Sequence, residues 1–165
     1  MAEDGPRRPP GQAGARLLSL WQGCRRLPFG RTIFGALFAR QVPYSGSIGA
    51  AVLALAPGHA RLALRDRRAV RNHLGSIHAV ALINLGELAS GLAMTAAMPA
   101  GVRGIVTRIE TEYRKKARGT LVAESRVEFP EVCGDTDLDV RAEIRDTAGD
   151  VVATVLVKWR LGLAR

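Results

Sequence analysis

Residues 76–98, SIHAVALINLGELASGLAMTAAM, are the longest apolar run in the chain, and Pro99 and Gly101 close it. A run of this length with two strong stop signals predicts one long helix. Length alone would also suit a membrane span. His78, Asn84 and Glu87 interrupt the run, however, and a charged group near mid-bilayer costs about 3 kcal/mol. A helix apolar on nearly every side is instead expected to be wrapped by the rest of the protein, with no transmembrane segment.

The wrapping is expected from period-two segments, in which alternate residues share a face. Within residues 48–66, Leu62 and Leu64 alternate with Arg61 and Arg65, and Pro57-Gly58 predicts the turn of a hairpin. After the long helix, Ile105, Thr107, Ile109 and Thr111 share one face of a strand, and Leu121, Ala123, Ser125, Val127 and Phe129 share one face of the next. Leu138, Val140, Ala142 and Ile144 define a third strand, and a turn at residues 147–150 leads into VVATVLVKWRL. Two early strands, one buried helix and about four later strands predict an α+β domain, an antiparallel sheet around a central helix.

Ahead of this domain, residues 17–42 carry apolar positions at three- and four-residue spacing, broken by Pro28 and Gly30, and predict two short helices. The second, within LPFGRTIFGALFA, suits either packing on a core or lying on a membrane surface, with core packing the commoner fate of so short a run. Residues 1–16 are rich in Pro, Gly and Arg and predict a disordered tail rather than a secretory signal, with an organellar transit role left open. Residues 43–165 form the main domain.

The net charge of +9 points to an anionic partner. The arginines are spread along the chain without a zinc-finger, RNP or helix-turn-helix signature, which argues against nucleic acid. Cys24 and Cys133 make neither a disulfide framework nor a metal-ligand pair, so a reducing, cytoplasmic location without a metal is expected.

Chemistry concentrates at the start of the long helix, in Asn72, Gly75, His78, Ala79 and Val80, and at Glu87 within it. Free amides at a helix N-terminus, near Ala79, suit a developing oxyanion, and a carboxylate in apolar surroundings suits a base of raised pKa. Eight residues of helix separate the two by roughly 12 Å. If they share one reaction, the donor comes from one subunit and Glu87 from another across a two-fold axis.

Asn72, Gly75, His78 and Glu87 together resemble the motif of the PaaI-like hotdog-fold acyl-CoA thioesterases. That motif is approximately Asn-x-x-Gly-x-x-His-Gly-Gly, with an Asp or Glu nine residues after the His. The resemblance spans about residues 46–161, and HAVALINLGELASG looks most like an uncharacterised branch of that superfamily. It implies a hotdog fold, a homodimer or a tetramer built from two such dimers, and acyl-CoA as substrate with no other cofactor. Glu87 would activate water or attack the thioester, the Ala79 amide would hold the oxyanion, and Asn72 and His78 would orient substrate or water. Thr107 would stand for a Ser or Thr that the family often supplies from the following strand. Arg114, Lys115, Lys116 and Arg118 occupy the place where relatives meet the nucleotide end of coenzyme A, though a solvated basic turn explains them equally well. Ala79 and Val80 replace the motif's paired glycines, which keeps open a non-catalytic acyl-CoA or lipid-binding module. A hydratase on the same fold is a further alternative, using His78 and Glu87.

Overall fold

The computed structural model describes residues 10–164. Three N-terminal helices come first: α1 (Gln12–Cys24), α2 (Gly30–Gln41) and the short α3 (Pro43–Gly46). Strands β1 (Ala51–Ala56) and β2 (His59–Leu64) lead to the central helix α4 (Ala79–Ala97), followed by β3 (Val102–Tyr113), β4 (Leu121–Arg126), β5 (Thr136–Arg145) and β6 (Val151–Leu163). The strands form one antiparallel sheet in the order β1-β2-β4-β5-β6-β3, curved around α4.

Two glycines show why the chain follows this path. Gly58 closes the two-residue loop of the first hairpin at φ 73, where a side chain is strained, and a β-carbon there would lie 2.4 Å from the Val127 carbonyl. Gly86 lets α4 lie flat on the sheet, since a β-carbon would meet Val155 of β6 at 2.4 Å. The helix buries Leu82, Leu85, Ala89, Leu92, Ala93 and Met94, and the sheet answers with Leu62, Leu64, Leu121, Ile144, Val155 and Val157. Met98 leaves the helix in the extended conformation that a residue before proline prefers, and Pro99 ends it. The apolar run is thus a core helix: α4 has the length and hydropathy of a membrane span, but most of it is buried by the sheet and N-terminal helices.

Two expectations are corrected. The tail expected over residues 1–16 gives way to helix already at Gln12, and the Gly11 amide donates to the Met98 carbonyl at 2.8 Å. The glycines read as a sign of disorder are contact residues: a β-carbon on Gly14 would lie 2.5 Å from the Thr95 carbonyl, so α1 could not approach α4 with a larger residue there. The part of that tail in residues 1–9 lies outside the described residues.

The second correction concerns β3. A bulge between Val106 and Arg108 shifts the register, so that Val102, Gly104 and Val106 are half-buried before it, while Thr111 beyond it is half-buried as expected. Ile105 is instead 63% exposed and Thr107 is exposed at the bulge, and Ile109, opposite Val157, is 38% exposed on a strand whose outer edge has no partner among the described residues.

Candidate active site

The turn before α4 is built by Asn72 and Gly75. The Asn72 carboxamide oxygen accepts from the amides of Leu74 (3.0 Å) and Ser76 (3.1 Å), and Gly75 sits at φ 67. Asn72 therefore shapes the loop, the usual work of an Asx turn, with its side-chain oxygen already engaged. The loop is tied down on both sides, as Ile77 donates to the Ala117 carbonyl and His78 to that of Val70, each at 2.8 Å.

His78 is the N-cap of α4. It has extended φ/ψ, and its Nδ1 accepts from the Val80 amide at 3.1 Å. That bond requires Nδ1 unprotonated and places the proton of the neutral ring on Nε2. Among the described residues the exposed Ala79 amide meets no acceptor, so one N–H at the positive end of a 19-residue helix is free. The exposed Val80 side chain stands next to it. Tyr113, from the end of β3, donates its hydroxyl to the Ala79 carbonyl at 3.2 Å and braces this first turn.

Two turns further on, Glu87 lies half-buried on the wall of a cavity of about 680 Å³. Leu17 and Leu20 of α1, Phe38 of α2, Leu88 and Leu92 of α4, and Trp159 of β6 give the cavity its apolar lining, and Arg16 lies at its side. Burial in this lining raises the pKa of the Glu87 carboxyl above its ordinary value. Behind the wall, Trp159 donates its indole N–H to the fully buried Ser90 hydroxyl at 2.9 Å, fixing the ring. Trp159→Phe should cost about 1 kcal/mol by leaving that hydroxyl without its donor, as a shift in urea midpoint would show.

These cavity residues were not singled out in the sequence. Leu17, Leu20 and Phe38 read there as generic helix-packing residues, and Trp159 as one more member of a buried strand. The only available signal was that the carboxylate of Glu87 needed neighbours.

The remaining candidates are scattered. Thr107 lies on the β3 bulge and donates to the Lys158 carbonyl at 3.3 Å. In the basic loop, Arg114 pairs with Glu112 at 3.0 Å and Lys115 bridges Asp146 and Asp150, both at 2.7 Å. Lys116 and Arg118 are exposed and form no ion pair among the described residues. Arg118 lies close enough for its charge to help lower the pKa of Asp66, whose first cause is its hydrogen bond to Arg71. Among the described residues no three His, Cys, Asp or Glu side chains are placed to share a metal ion.

A family model described as a domain of unknown function, DUF4442, matches residues 30–161. The chain belongs to the DUF4442 family. No curated protein sequence matches this DUF4442 chain significantly. Its fold is similar to the crystal structure of the structural-genomics target APC5556, with 28% identity, a TM-score of 0.79, and coverage of 90% of this chain and 99% of that one. It is also similar to PA5026 of Pseudomonas aeruginosa, described as a probable thioesterase, with 23% identity, a TM-score of 0.71, and coverage of 84% and 97%. Thioesterase HI1161 of Haemophilus influenzae shares 11% identity at a TM-score of 0.64, over 73% of this chain and 82% of that one. DUF4442 in this chain is a hotdog domain with added N-terminal helices.

Proposed function

We propose that this protein is an acyl-CoA thioester hydrolase acting at a homodimer interface. The observation that carries the reading is Glu87, a carboxylate of raised pKa on the wall of an apolar cavity, on the same helix whose first amide is free. Glu87 accepts a proton from water as the water oxygen bonds to the thioester carbonyl carbon. The carbonyl oxygen takes the negative charge against the Ala79 amide. Collapse of this intermediate breaks the carbon–sulfur bond, and the proton held by Glu87 passes to the departing thiolate. A base of raised pKa suits the first step, because it holds the water proton more strongly than an ordinary carboxylate.

About 12 Å of helix rise separates Ala79 from Glu87, so the two act together only across subunits. The exposed Ile105 and Ile109 on the unpaired edge of β3 support that pairing, since a long apolar strand edge is a natural template for a second copy. The cavity takes the acyl chain, and Lys116 and Arg118 are left to meet the coenzyme A phosphates. Two free thiols, one of them exposed, support a cytoplasmic location.

Val80 favours a second reading. Its exposed branched side chain stands beside the Ala79 amide and narrows the approach of a carbonyl, as suits a module that binds acyl-CoA without cleaving it. Thiol release from a series of saturated acyl-CoAs distinguishes the two. The hydrolase reading expects kcat/KM to rise about four-fold per methylene until the cavity is filled. Binding of the same esters without thiol release would select the module instead.

A further inference from the structure

The tip of the α1–α2 hairpin is outside the thioester chemistry, yet it carries the most unusual surface of the molecule. Residues 25–29, Arg-Arg-Leu-Pro-Phe, are all exposed, with Phe29 at 85%. Phe29 is the one non-glycine residue with positive φ among those described, at φ 59 and ψ 17. A bulky residue is disfavoured there by its own β-carbon, and here no buried packing compensates. Gly30 makes the turn possible, since a β-carbon on it would run into the Cys24 carbonyl. The backbone thus holds a phenyl ring out in water at a cost to stability.

Helix α2 continues this surface. Phe34 and Phe38 point inward, where Phe34 meets Trp21 edge-on at 5.2 Å between ring centroids. On the other side Phe29, Ile33 and Leu37 follow at four-residue spacing, and all are exposed. The helix is therefore apolar on two faces, one already used by the core. Charge surrounds the second: Arg25, Arg26, Arg31 and Arg40 are exposed. Between Asp4 and Asp66 the sequence holds nine arginines and no acidic residue.

We propose that this tip is a docking surface for an anionic lipid bilayer. Leu27, Phe29, Ile33 and Leu37 enter the boundary between headgroups and acyl chains, while the arginines meet lipid phosphates. Charge decides against a second copy of the chain, because a two-fold contact through this patch would set arginine against arginine. It also gives the strained Phe29 a use, since an aromatic ring at headgroup depth gains what it loses in water. The proposal does not depend on thioester hydrolysis.

Co-sedimentation of the full chain with vesicles tests it, using phosphatidylcholine alone and phosphatidylcholine mixed with phosphatidylglycerol. Binding to the mixed vesicles is expected to exceed binding to phosphatidylcholine by at least ten-fold and to weaken with salt, since each arginine near an anionic surface contributes roughly five-fold. Phe29→Gly should weaken vesicle binding while raising the melting temperature, because glycine accepts positive φ. A merely structural role for Phe29 would lower the melting temperature of Phe29→Gly and leave vesicle binding by the folded chain unchanged. Arg25→Glu combined with Arg26→Glu should abolish the preference for anionic lipid in a protein that melts normally. The proposal is overturned if the folded chain ignores anionic vesicles, or if these variants bind them as the parent does. Loss of self-association in Phe29→Gly without any vesicle binding would assign the patch to a second copy. Capture of an RNA oligonucleotide with no vesicle binding would likewise overturn it.

Discussion

Glu87→Gln is expected to lower kcat/KM for acyl-CoA hydrolysis by about 10²- to 10⁴-fold, the range for removing a positioned base. The same variant should fold at least as well as the parent at neutral pH, because the amide keeps the side-chain volume and removes a charge that burial disfavours. The pH dependence makes this separable from damage. Burial raises the folded-state pKa of Glu87 above its ordinary 4.5, so between these values the folded protein keeps a proton that the unfolded chain has released. That group's contribution to stability therefore falls as pH rises from 4.5 to the folded value, and is level above it. Denaturant titrations of parent and Glu87→Gln across this window should converge at low pH and separate at high pH, with the variant the more stable. A variant that is inactive and also less stable at neutral pH would mean that Glu87 holds the fold rather than drives the chemistry.

Gly86→Leu should destabilise the domain by about 3 kcal/mol, near the upper end for overpacking a closed core. The β-carbon alone would stand 2.4 and 2.5 Å from the Cγ2 and Cβ of Val155, and a β-branched valine on a paired strand cannot swing aside. Helix propensity works in the opposite direction by up to about 1 kcal/mol, so Gly86→Ala is the milder member of the pair. The helix must either lift from β6, opening the layer between Leu85 and Val157, or tilt and move Glu87 in its cavity. A urea midpoint for Gly86→Leu equal to that of the parent would show that α4 does not rest on the sheet at this distance.

Legibility in the sequence followed the range of the forces involved. Helix α4 was readable because its apolar run and its Pro99 stop are local. The β1–β2 and β5–β6 hairpins were readable because their alternation and turn residues lie within one short window. What failed depended on distant partners. Gly14 read as part of a tail until Thr95 lay against it, and the exposure of Ile105 could not be inferred without the bulge at Thr107. In the site, the spacing of Asn72, Gly75, His78 and Glu87 was visible, and so was the burial penalty on an unpaired carboxylate within an apolar run. The oxygen of Asn72 is committed to two loop amides, the turn role that its residue type commonly takes. The cavity walls come from α1, α2, α4 and β6, four segments joined only by the tertiary fold.

The central claim is that Glu87 of one subunit serves the Ala79 amide of another, and mixing two disabled variants tests it most directly. Ala79→Pro deletes the N–H at the first position of a helix, where proline is tolerated, and His78 already has the extended backbone that a residue before proline requires. Ala79→Pro and Glu87→Gln should each be inactive alone. After unfolding and refolding together in equal amounts, half of the dimers are mixed and each contains one intact site, so roughly a quarter of the parent thiol-release rate should return. A mixture no more active than its components would contradict the shared site.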